Sequence, residues 1–169
     1  MTIFFRAIRL LAMTVWVGGL VFFAFVEAQT AFHLMGTTAL FAQLIGQSIA
    51  KLNIIGNTCG FLFLIGTIAL WFRTDPRSRR LLPAEFLLVL GMMFATAVVQ
   101  RGIVPAMERD RIAAGGDINA VPIGSFERQD FNRLHSISEK VEGAVLLLGL
   151  VNILLIAAER APQKRVSYI

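Results

Sequence analysis

The sequence predicts an all-α fold, a four-helix transmembrane bundle with both termini cytoplasmic and the helices extended on the outer side. Three observations predict it. Leu10–Val26, Leu52–Phe72, Phe86–Val99 and Ala144–Ala158 contain no Asp, Glu, Lys, Arg or His. The chain is 56% hydrophobic with a mean hydropathy of +0.70, too apolar for an ordinary soluble domain. The charges between the apolar stretches are also sorted by sign.

The ends of the chain and the Trp71–Glu85 gap carry Arg6, Arg9, Arg73, Arg77, Arg79, Arg80, Arg160, Lys164 and Arg165, against Asp75, Glu85 and Glu159, a net of +6. The remaining connections carry seven cations and eight acids, a net of −1. Basic connections stay on the cytoplasmic side, so the N and C termini are expected there, in a bacterial inner membrane. The computed pI near 10.3 reflects short basic runs beside membrane spans. It implies anionic lipid contact and no nucleic acid.

A hydrocarbon core of roughly 30 Å needs about 20 helical residues, so four spans consume most of the chain and make one domain over residues 1–169. The spans fall at approximately 7–28, 50–73, 82–104 and 141–159. Arg6, Arg9, Leu10–Phe25 and Val26-Glu27-Ala28 have the outline of a signal peptide. The apolar run exceeds a usual signal core, and it is expected to be a retained helix.

The first helix continues to about His33. Between Thr38 and Lys51, Leu40, Phe41, Leu44, Ile45 and Ile49 recur at helical spacing, while Gln43, Gln47 and Lys51 step by four on another face. This segment is either an extension of the second helix or a helix lying flat on the interface. Pro105 is expected to mark the third helix's exit. Gly115-Gly116 and Pro122 fall in the following loop. The fourth helix is expected to start near Asp130 or Asn132 as cap and to run to Glu159. Asp75-Pro76 makes the turn between the second and third helices.

Packing residues are expected at Gly18 and Gly19 in the first span and at the GxxxG formed by Gly56 and Gly60 in the second. In lipid, close backbone approach supplies the van der Waals contact that drives helix association. The single Cys59 lies inside a span, which excludes an intramolecular disulfide and a thiolate cluster.

Trp16-Val17-Gly18-Gly19-Leu20-Val21-Phe22-Phe23-Ala24-Phe25 and Phe131-Asn132-Arg133-Leu134-His135-Ser136-Ile137-Ser138, with the long second helix and Gln100–Pro105, form an ordered set. That set resembles the transmembrane-protein-205-like family of small four-helix membrane proteins. The resemblance implies a four-span membrane domain and brings no catalytic residues with it. Glu139 and Glu142 depart from it in being acidic.

Chemistry, if present, is expected at the outer ends of the helices. His33 and His135 are the two histidines of the chain, and the threading places both on one side. His135, Glu139 and Glu142 step by four and three along one helix face, and Glu27 lies near the end of the first span. Facing helices that supply His and carboxylate build transition-metal sites in bundles. The five residues are therefore candidate metal ligands, with His33 and His135 as candidate haem ligands. The competing reading is a set of solvated polar residues at the membrane boundary.

The apolar cores hold no ionisable residue, which opposes a proton antiporter. There is no glycine-rich phosphate loop and no HExxH, and Ser136 beside His135 lacks the context of a triad. The expected function is that of a non-enzymatic integral membrane protein, an accessory or assembly subunit of a larger membrane complex. Its partners would be the lipid bilayer and other membrane subunits. Metal or haem binding is the runner-up, and a small solute or stress-related transporter is the third reading.

Overall fold

The computed structural model describes residues 1–74, 76 and 79–159. Four helices long and apolar enough to cross a membrane account for nearly all of them: α1 Thr2–Met35, α2 Ala39–Trp71, α3 Leu82–Ala113 and α4 Phe126–Ala158. No strand occurs among the described residues. Each helix has 32 to 34 residues, about 50 Å at 1.5 Å per residue, well beyond the hydrocarbon thickness.

The helices run up, down, up and down. The N-terminus, the α2–α3 connection and the end of α4 lie at one end, called here the basic end; the α1–α2 and α3–α4 connections lie at the far end. Helix α1 packs on α2 and α4, and α3 packs on the same two, so α1 and α3 sit on a diagonal.

Local chemistry explains the helix boundaries. Gly36 ends α1 at φ 61°, a conformation open to glycine and costly for other residues. Thr38 caps α2, its hydroxyl accepting from the Phe41 amide at 3.2 Å. From that cap α2 is unbroken to Trp71. The Thr38–Lys51 segment is thus an extension of the second helix, not a separate flat helix.

Two sequence expectations are corrected. Pro105 does not end α3, which continues to Ala113. A π-helical turn at Val99–Ile103 precedes Pro105 and includes Arg101, whose carbonyl a regular helix would direct at the proline ring. The widened turn accommodates both that ring and the missing donor. The start of α4 is also earlier than expected, because Ser125 is its cap, with Oγ accepting from the Arg128 amide at 3.4 Å. A second π turn, Phe23–Glu27, interrupts α1.

The core is a column of Met13, Trp16, Phe63, Val89, Met92 and Val145, each at most 1% exposed. Trp16 is its anchor. A Cβ on Gly56 would lie 2.7 Å from Trp16 Cε2, and one on Gly60 2.9 Å from Trp16 Cζ3 and 2.7 Å from Met93 Cγ. The GxxxG of α2 is therefore spent inside the bundle, where it lets the indole of α1 reach the α2 backbone. Gly19 and Gly149 are closed in the same way, against Leu52 and Val17. Gly18 is not: nothing lies within 4 Å of a Cβ built there.

Candidate functional site

Polar side chains enter the bundle at both ends, and the stronger group lies at the basic end. Arg9 reaches inward from α1 and pairs with Glu85 in the first turn of α3, both sealed from solvent. Its Nη1 also donates to Glu159 Oε1 at 2.7 Å, just past the end of α4. Arg6 joins through Glu159 at 3.6 Å. The Arg9 guanidinium carbon lies 4.7 Å from the centre of the Phe63 ring on α2, and the stem of Arg9 occupies the space left by Gly66.

One arginine thus touches all three other helices or their ends. Among the described residues, two cations here face two carboxylates. Burying such charges costs several kcal/mol per ion unless each is paired, and this pairing lets a charged group sit at the end of an apolar bundle. A shallow groove of about 300 Å³ opens beside it, lined by Ile3, Arg6, Ala7, Arg9, Leu10, Ile156 and Glu159.

The second group lies towards the far end. Asn53 Nδ2 is 3.3 Å from Gln100 Oε1 and 3.5 Å from Glu142 Oε1, tying α2 to α3 and α4. Glu142 Oε2 is buried without a protein partner. Between the two groups, Thr96 and Asn152 are 1% and 0% exposed, and the Thr96 hydroxyl and both polar atoms of Asn152 have no protein partner.

The sequence-predicted ligands are distributed differently. His135 is exposed and pairs along its own helix with Glu139 at 3.3 Å, its ring stacked on Phe131. His33 is exposed, edge-on to the neighbouring Phe32. Glu27 is half-buried on the π turn of α1. Glu142 turns inward to Asn53 and away from the His135–Glu139 pair. Among the described residues, no three His, Cys, Asp or Glu side chains are grouped to hold a metal ion.

The arginine group was missed because Arg9, Glu85 and Glu159 each stand immediately beside an apolar stretch, where a charge reads as an interface anchor. The available signal was the sign. Glu85 and Glu159 are acids on the side of the chain where cations dominate, and they pair with the cation that is buried with them. Chemically, both groups act as clasps between helices. Neither presents a nucleophile beside a base.

No curated protein and no solved structure matches the chain. Residues 11–112, from α1 to the end of α3, match the signature of a family described as a domain of unknown function, DUF4149. With more than half of its length matched, this four-helix membrane protein belongs to the DUF4149 family.

Proposed function

We propose that this protein is a non-enzymatic accessory or assembly subunit of a larger membrane complex. The observation that carries the reading is the open face of α1 at mid-membrane. Thr14 and Gly18, four residues apart, are both exposed, and Gly18 has no neighbour within 4 Å of a Cβ position. Gly19, Gly56, Gly60 and Gly149 are all filled from within the bundle. A small-residue face left open in lipid is the surface on which another transmembrane helix packs closely. The internal pairing of Arg9, Glu85 and Glu159 also favours a scaffold, because those charges are committed to helix–helix contacts.

The reading includes cytoplasmic termini and a bacterial inner membrane, supported by the +6 against −1 charge division. It also includes the narrower kinship with transmembrane-protein-205-like proteins, which rests on Trp16–Phe25 and Phe131–Ser138. The test is mild solubilisation at native abundance, with mass spectrometry of co-purifying proteins from cells expressing the wild type or Gly18→Leu. One partner in fixed proportion, lost in the variant, is expected. Recovery of the wild type alone would overturn the proposal.

A second reading, a small-solute transporter, is favoured by Thr96 and Asn152. Unsatisfied polar groups are expensive in the membrane interior, and a hydrated path would satisfy them. Reconstituted vesicles that stay impermeable to small polar solutes, with or without the protein, would remove this reading.

A further inference from the structure

A second groove, of about 400 Å³, runs between α2 and α3 at the basic end. Its walls include Ile68, Trp71, Phe72, Leu82, Phe86 and Leu87. It opens outward from the bundle, in the position of the surrounding lipid. An acyl chain suits such walls, and the mouth of the groove supplies the rest of the specificity.

In sequence, the α2–α3 connection carries Arg73, Arg77, Arg79 and Arg80 against Asp75 alone. Arg79 is held at the rim. Its Nη1 donates to the Trp71 carbonyl at 3.2 Å, and its guanidinium carbon lies 5.1 Å from the centre of the Trp71 ring. Arg80 is exposed beside it. The first turn of α3 starts at the same rim, adding the positive end of a helix dipole. Apolar walls at membrane depth with a cationic mouth complement a molecule that has an acyl chain and an anionic head.

We propose that this groove binds one anionic phospholipid, an acyl chain lying between α2 and α3 and the phosphate held at Arg79 and Arg80. The site is separate from the open face of α1, so it stands or falls independently of the accessory-subunit reading.

The probe is Trp71, which lines the groove, and the ligands are phosphatidylglycerol and phosphatidylcholine with brominated acyl chains. The full-length protein is reconstituted in nanodiscs at matched lipid fractions. Brominated phosphatidylglycerol is expected to quench Trp71 at a several-fold lower mole fraction than brominated phosphatidylcholine. Trp71→Phe identifies the signal, since the other tryptophan, Trp16, is buried.

Arg80→Gln alone, and Arg79→Gln with Arg80→Gln, are expected to bring the two lipids to parity. Ile68→Phe, which fills the groove, is expected to reduce quenching by both. Melting of each variant, followed by circular dichroism, shows that the fold is retained. Equal quenching by the two lipids in the wild type would overturn the proposal. So would a preference unaffected by the arginine substitutions, or displacement of the lipid by inorganic phosphate at equal concentration.

Discussion

Arg9 and Glu85, 76 positions apart in the chain, form an ion pair whose side chains are 1% and 0% exposed. The pair spans the diagonal of the bundle, from α1 to α3, and Glu159 extends it to the end of α4. A pair that is buried so completely stabilises the fold only while both partners are present, because either charge left alone in an apolar interior is heavily penalised. Arg9→Ala and Glu85→Ala are each expected to destabilise the bundle by about 3–5 kcal/mol. Arg6→Ala removes a partly exposed side chain 3.6 Å from Glu159, and it is expected to cost less than Arg9→Ala. Unfolding in a denaturing-detergent titration compares the three; equal costs for Arg9 and Arg6 would contradict the arrangement.

The glycines differ in what an added methyl group would meet. Gly60→Ala places a methyl against Met93 and Trp16, and overpacking of that kind costs about 1–3 kcal/mol. Gly18→Ala meets nothing, and its expected effect on the isolated protein is within about 0.5 kcal/mol. Thermal melting in detergent checks both. A large loss for Gly18→Ala would place that glycine in the protein's own core.

The two buried asparagines predict opposite outcomes for the same substitution. Asn53 holds Gln100 and Glu142, so Asn53→Leu leaves a buried carboxyl without its donor and is expected to cost about 1–3 kcal/mol. Asn152 has no protein partner for either polar atom. Replacing it with Leu removes an unsatisfied group from an apolar layer and is expected to stabilise by about 1–2 kcal/mol. The sign of each change in the unfolding midpoint is the measurement, and destabilisation by Asn152→Leu would show that the amide is satisfied in the folded protein.

The spans were legible because absence of charge over a bilayer's length has few other meanings. Helix ends were less so. Pro105 reads as a stop by local rules, yet the π turn before it lets α3 continue, and nothing in Val99–Ile103 announces that turn. Glu142 illustrates the limit for the site. Its spacing from His135 and Glu139 follows correctly from the helix, but seven residues, about 10 Å, further along the axis the same face is covered by α2 and meets Asn53. Arg9 was hidden for a different reason: a charge at the edge of an apolar run has the same sequence signature whether it anchors at the interface or turns inward to a partner on another helix.

The orientation of the bundle is open to a direct measurement that uses the two ends described above. Cys59 is 8% exposed and sits within α2, so a thiol placed in a connection is read against a quiet background. Pro76→Cys lies in the α2–α3 connection and Asp117→Cys in the α3–α4 connection. Since four arginines flank the first position, and basic connections are retained in the cytoplasm, a membrane-impermeant maleimide applied to intact cells is expected to label Asp117→Cys and spare Pro76→Cys. Permeabilisation should then expose Pro76→Cys. Neutralising Arg79 and Arg80 weakens the same bias, so partial labelling of Pro76→Cys in intact cells, with a matching loss at Asp117→Cys, is expected in that background. Labelling of Pro76→Cys in intact cells, with Asp117→Cys protected, would reverse the threading and place the Arg9–Glu85 pair at the outer face.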